Sequence, residues 1–112
     1  MYADNNKGPG ADALSPEFIH DLIDFLKIIA EETRFRILRE LFRSGELTVS
    51  ELYHTLQISQ PSASQHLKIL KDSGILKYRR KGRMTFYAID RKGIIARYGE
   101  MLRYLNTEFF KK

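Results

Sequence analysis

The sequence predicts a mainly α-helical domain carrying one small β-hairpin, and three observations lead there. Residues Ser59 to Gly74, SQPSASQHLKILKDSG, have the start, the period and the stop of a helix. Apolar residues recur at helical spacing before this stretch, from Ser15 to Leu56, and after it, from Arg91 to Phe110. Between Ile75 and Ile89 (ILKYRRKGRMTFYAI) the pattern turns to strand-favouring residues on either side of a basic, Gly-containing turn.

Composition bounds the reading. With 112 residues and 43% apolar content, the chain is one small domain with a limited core, so a partner subunit would add useful buried area. The formal net charge is +5, unevenly placed. Met1 to Ile58 holds 6 Lys or Arg against 10 Asp or Glu, whereas Ser59 to Lys112 holds 13 against 4. The basic half is suited to a polyanion. No basic amphipathic helix of the interfacial type is present, so no membrane partner is expected. The absence of cysteine excludes disulfides, thiolate metal sites and thiol redox sensing. No apolar run approaches the roughly 18 residues of a membrane span, and the first residues lack the layout of a signal peptide. A cytoplasmic location is expected.

Residues 1–14, MYADNNKGPGADAL, have no periodicity and are expected to form a disordered tail, leaving 15–112 as the folded domain. Ser15, Pro16 and Glu17 are an N-cap, a first-turn proline and a first-turn acid, and predict a helix to about Ala30. Ile19, Leu22, Ile23, Leu26 and Ile29 form one stripe of it, which Phe18 and Phe25 widen. Thr33 is expected to cap a second helix to about Arg43, with Ile37, Leu38, Leu41 and Phe42 inward and Arg36, Arg39, Glu40 and Arg43 in water. Thr48-Val49-Ser50-Glu51 is a capping box, and Val49, Leu52, Tyr53 and Leu56 give a short third helix.

The fourth helix follows after Gln57-Ile58-Ser59. Ser59 is its N-cap, Pro61 falls in its first turn and Gly74 stops it. Ala63, Leu67 and Leu70 make its apolar face. Gln60, Ser62, Ser64 and Gln65 crowd the start of the other face with short uncharged hydrogen-bonding groups, which suit base edges in a major groove. Lys68 and Lys71 lie further along, near a backbone. A surface helix that is simply rich in Ser and Gln fits the same residues. Two short helices joined by a tight turn, the second polar at its exposed start, make a helix-turn-helix. The hairpin after it places Lys77, Arg79, Arg80, Lys81 and Arg83 within seven residues, with no acid nearby in sequence, so phosphate is the expected counter-charge. Helix-turn-helix plus basic hairpin is a winged helix, which points to duplex DNA.

Asp90 can cap a last helix to about Phe110. Ile94, Tyr98, Met101, Leu105 and Phe109 lie along one side of it, with Ile95 and Leu102 beside them. The first and last helices, at about 16–30 and 91–110, both have more apolar surface than one core contact needs. A homodimer is therefore expected to form through them about a two-fold axis, with Phe18, Leu22, Phe25, Tyr98, Met101, Leu105 and Phe109 at the interface. The alternative is that both helices only close the monomer core.

From about Phe25 to Ile89 the chain resembles the ArsR-type winged-helix transcriptional regulators. LKIIAEETRFRILREL (Leu26 to Leu41) is similar to the family's first linker and second helix, SQPSASQHLKILKDSGIL (Ser59 to Leu76) to its recognition helix, and KYRRKGRMTFYAI (Lys77 to Ile89) to its wing. The resemblance implies a homodimer that binds operator half-sites and represses transcription. It implies that Gln60, Ser62, Ser64 and Gln65 face bases and that Thr48, Ser50 and Lys68 approach phosphate. Lys81 and Arg83 would reach a minor groove or its backbone. His66 belongs to the S-x-H-L pattern and is expected to be structural.

Members that sense thiophilic metals carry two cysteines in the third helix, where this chain has Thr48 and Ser50. Members that bind zinc through the last helix use carboxylates and histidines, but Arg91 to Lys112 contains no histidine, and Tyr104 and Thr107 stand about where ligands would fall. No metal and no cofactor is expected, although His20, His54 and His66 leave an improvised site across a dimer open. What controls release is likewise open: a small molecule among the aromatic residues of the first and last helices, a protein partner, or simple control by abundance. Three function classes follow: a sequence-specific dimeric repressor, a winged-helix interaction or architectural module that binds without sequence preference, and an enzyme. For the enzyme the sequence has no nucleophile with a base, no carboxylate pair on a predicted site and no phosphate-cradling Gly loop, so none is expected.

Overall fold

A computed structural model describes residues 15–110, with side chains to position 107. The tail expected over 1–14 lies outside the described residues. Helix α1 (Pro16–Ala30) starts on Ser15, whose Oγ accepts from the Phe18 N–H at 3.0 Å. Helix α2 (Glu32–Ser44) is capped by Glu31, not by Thr33. Glu31 is extended (φ −73°, ψ 134°) and ends α1, and its Oε1 accepts from the Arg34 N–H at 2.8 Å. Its longer side chain reaches the N–H that Thr33, already inside the first turn, cannot cap. Gly45 (φ 87°) turns the chain out of α2 into a strand the sequence did not reveal, β1 (Glu46–Thr48).

Helix α3 (Val49–Leu56) begins with the capping box. Thr48 Oγ1 accepts from the Glu51 N–H at 3.1 Å, and Glu51 Oε1 accepts from the Thr48 N–H at 2.8 Å. It ends on Gln57 in the left-handed region (φ 57°). Helix α4 (Gln60–Asp72) starts on Ser59, whose Oγ accepts from the Ser62 N–H. Strands β2 (Leu76–Lys81) and β3 (Met84–Ile89) form the hairpin, turning at Gly82 with φ 63°. β3 is central in a three-stranded antiparallel sheet of order β1-β3-β2, with Glu46 opposite Ala88 and Lys81 opposite Met84. Helix α5 (Arg91–Phe110) opens with Asp90 Oδ1 accepting from the Gly93 N–H. A methyl group on Gly93 would lie 2.9 Å from the Gly74 carbonyl oxygen, so glycine allows α5 to start against the end of α4.

The fold is a winged helix. Ile37, Leu41, Leu52, Leu67 and Leu70 are fully buried, and Ile75, Leu76, Tyr98 and Met101 complete the core around them. Phe42, expected inward, is 82% exposed. Leu41, one residue earlier, takes the inward direction, and a 100° step along the helix leaves Phe42 outside. Arg36, expected in water, is half-buried and donates through Nη2 to the Leu56 carbonyl at 2.9 Å, closing the end of α3. No helix among the described residues is long and apolar enough to cross a membrane.

Candidate nucleic-acid interface

Burial of Ala63, Leu67 and Leu70 fixes which way α4 turns. It leaves Gln60, Ser64, Gln65 and Lys68 exposed and Ser62 half-buried. The start of α3, the start of α4 and the wing meet in one cleft of about 320 Å³, lined by Thr48, Val49, Ser50, Tyr53, Gln60, Ser64, Arg83, Met84 and Thr85. The fold thus gathers five sequence-predicted residues, Thr48, Ser50, Gln60, Ser64 and Arg83, around one concavity. Gln65, Lys68 and Lys81 lie on the exposed surface outside that lining. Sequence reasoning missed Val49, Tyr53, Met84 and Thr85: Val49 and Tyr53 fall within the apolar period of α3, and the other two lie in the strand-favouring stretch after the wing turn.

Two roles change in three dimensions. Thr48 is 5% exposed, and its Oγ1 and N–H both serve the capping box, so it shapes the start of α3 rather than reaching outward. Ser50 stays exposed in that first turn, where uncompleted N–H groups and the helix dipole favour an anion. Lys68 donates to Asp72 Oδ2 at 2.8 Å, a hydrogen bond that raises the ammonium's pKa and lowers that of the carboxyl. Contact with phosphate would use the ammonium's remaining N–H donors or an exchange of that partner.

The wing is also less uniformly cationic than its sequence suggested. Arg79 donates through Nε and Nη2 to Glu46 of β1 at 2.7 and 3.0 Å, and its guanidinium lies 4.4 Å from the centre of the Phe86 ring. This two-pronged hydrogen bond pulls the Glu46 carboxyl below its ordinary pKa and pushes Arg79 up. The missing acid is 33 residues upstream, delivered by the strand the sequence did not reveal. Lys77, Arg80, Lys81 and Arg83 are exposed and, among the described residues, make no ion pair.

Residues 31–78 match the sequence profile of the bacterial regulatory proteins of the arsR family. The transcriptional repressor SdpR of Bacillus subtilis is 32% identical over 80 residues, covering 71% of this chain and 88% of its own. The chain belongs to the ArsR family. An arsenic resistance transcriptional regulator of Pseudomonas putida is 46% identical over 63 residues, 56% of this chain, but the match spans only 49% of that protein's length. Among solved structures, HlyU from Vibrio cholerae superposes with a TM-score of 0.64 at 29% identity, covering 87% of this chain and all of that one.

In this ArsR-family chain, the residues expected at a dimer interface largely close the monomer. Tyr98 and Met101 are 6% and 3% exposed. Burial raises the Tyr98 phenol's pKa, and its hydroxyl donates to the Ser73 carbonyl at 2.5 Å. Phe25 packs on Tyr98 with ring centres 4.5 Å apart, and Phe18 meets Tyr104 edge-on at 5.5 Å. Phe18, Leu22, Phe25 and Leu105 are half-buried, and the side chain of Phe109 lies outside the described residues. The apolar surface left open is displaced around each helix. It comprises Ile19, Ile23 and Leu26 of α1, each 45–46% exposed, and Ile95 and Leu102 of α5, at 64% and 36%.

The three histidines sit apart on three helices. His20 lies 3.2 Å from Asp24, His54 donates through Nδ1 to the Ser50 carbonyl, and His66 faces Arg34. Among the described residues, no three His, Cys, Asp or Glu side chains come together in a group that could hold a metal ion.

Proposed function

We propose that this chain is a sequence-specific double-stranded DNA-binding transcriptional regulator, a homodimeric repressor of cytoplasmic location that is not switched through the family's usual metal sites. The observation that carries the reading is the shared cleft: the open start of α3, Gln60 and Ser64 of α4, and Arg83 of the wing border one concavity. The uncharged side chains among its lining suit base edges, while a helix N-terminus and a guanidinium beside them suit phosphate. The proposed activity is binding, not catalysis.

Two copies would meet through Ile19, Ile23 and Leu26 of α1 and Ile95 and Leu102 of α5, the apolar surface that these two helices leave exposed. Pairing would set two recognition helices against successive major grooves, about 34–36 Å apart.

Selection of duplexes from a random pool tests the reading. Recovery of a two-fold-symmetric site, bound at least ~1,000-fold tighter than random duplex and more weakly as salt rises, is the expected result. Salt-dependent binding with no enriched sequence would favour an architectural module instead, and absence of binding at low salt would overturn both.

A further inference from the structure

The Arg34 guanidinium joins three helices. From the first turn of α2 it turns back to α1, where Nε donates to the Ile28 carbonyl at 2.7 Å and Nη2 to the Lys27 carbonyl at 3.5 Å. Those carbonyls belong to the last turn of α1, which has no helical N–H left to bind them and carries the negative end of the helix dipole. The remaining arm crosses to α4: Nη1 donates to His66 Nδ1 at 3.1 Å, 32 residues on in sequence. Because arginine only donates, Nδ1 accepts, and the neutral ring carries its proton on Nε2. Glu31 Oε1 stands 3.7 Å from the same nitrogen, held in place by the Arg34 N–H. The His66 side chain is only 18% exposed, so its ring has little freedom to turn away.

Among the described residues, the hydrogen bonds that link α1 to α4 all run through this guanidinium. A planar fork of five N–H groups can serve two carbonyls and a ring nitrogen in fixed directions, which a lysine ammonium cannot reproduce. We propose that Arg34 and His66 are positioning residues that lock the angle of the recognition helix to α1, and so set the spacing and tilt of two recognition helices in a dimer joined through α1. This rests on the reading of the chain as a dimeric DNA-binding regulator. Any effector that shifts α1 would then reach α4 through Arg34 rather than through the core alone.

The test compares the parent protein with Arg34→Lys, His66→Leu, His66→Asn and the double variant Arg34→Lys/His66→Leu. The probes are the duplex that the parent selects from a random pool and an unrelated duplex. Arg34→Lys and His66→Leu should each lower the ratio of selected to unrelated binding about tenfold, and the double variant should lose no more than the worse single, because both remove one coupled contact. The salt slope should not change, since no phosphate contact is removed. His66→Asn, whose amide oxygen can accept where Nδ1 does, should stay within about twofold of the parent. Additive losses in the double variant, a His66→Asn ratio as low as that of His66→Leu, or unchanged ratios throughout would overturn the lock. Arg34→Lys also uncaps α1, so the His66 pair, read beside thermal melting, keeps the outcome interpretable. Failure of the parent to select any sequence would instead overturn the underlying function, and is seen before any variant is made.

Discussion

Replacing Lys81 and Arg83 together with Gln removes two exposed wing cations that have no ion-pair partner among the described residues. If both lie against phosphate in each subunit of the dimer, four contacts are lost and the slope of log affinity against log salt becomes shallower by ~3.6, at roughly 0.9 per neutralised phosphate. Between about 50 and about 200 mM salt, the double variant then loses ~150-fold less affinity than the parent does. Arg79→Gln is the built-in contrast. Its guanidinium is already held by Glu46 at 2.7 and 3.0 Å, so its removal from both subunits should change the slope by less than half of the ~1.8 that two free contacts would carry. Glu46→Gln reverses the sign, releasing Arg79 to the duplex and steepening the slope by up to ~1.8 for the dimer. Fluorescence anisotropy of a labelled duplex, titrated at stepped salt for all four proteins, reads these slopes directly. Equal slopes for the double variant and the parent would remove the wing from the phosphate surface. A full loss of ~1.8 in Arg79→Gln would show that the Glu46 pair opens on binding and that its geometry in the free protein does not govern the contact.

Gln65→Ala should cost ~1–3 kcal/mol of discrimination between selected and random duplex, without altering the salt slope, if this exposed side chain reads a base; an unchanged binding ratio would count against that role. Ile23→Glu places a charge in the open apolar surface of α1 and should convert a dimer to a monomer by sedimentation, with weaker operator binding and little change in melting; a dimer that persists would move the seam elsewhere. Glu31 has its carboxyl pKa held below the ordinary carboxylate value, chiefly by the hydrogen bond from the Arg34 N–H. A lowered folded-state value stabilises the fold above the unfolded pKa, and the contribution is lost as pH falls through the folded one. Melting followed from about pH 5 to about pH 3 should therefore fall less steeply in Glu31→Gln than in the parent.

Short-range chemistry was the legible part of this chain. Ser15, Ser59 and the Thr48–Glu51 box each act within three residues, and so do the positive-φ glycines that turn the backbone. Most helix and hairpin boundaries follow from these, although the cap of α2 falls to Glu31 rather than to Thr33. Periodicity found the right helices but misjudged their rotation. Both stripes of α1 are apolar, and only packing against Tyr98 and Tyr104 decides that Phe18 and Phe25 turn inward and Ile19, Ile23 and Leu26 outward. The same ambiguity placed Phe42 inside, when Leu41 had already taken that direction. β1 escaped notice because three residues cannot establish a period of two, and their pairing partner lies in β3.

The two contacts that most alter the reading of the site both join residues more than 30 positions apart. Glu46 with Arg79 changes how many wing cations are open to phosphate, and Arg34 with His66 ties the recognition helix to α1. Each end of each pair has an ordinary local explanation: Glu46 begins a strand, Arg79 adds to a basic run, Arg34 fills a first helical turn, and His66 edges a helix. Local reasoning therefore has no reason to look for a partner, and overestimates the free positive charge while underestimating the connection between helices. The two errors share one physical root. A charged or donor-rich side chain on a small domain meets groups that the fold brings in from elsewhere, and that meeting decides whether it is left for DNA or used to hold the reading surface in place. Arg83, exposed and outside every ion pair among the described residues, is free for the first use, Arg34 is engaged in the second, and Arg79 stands between them, with Glu46 deciding its side.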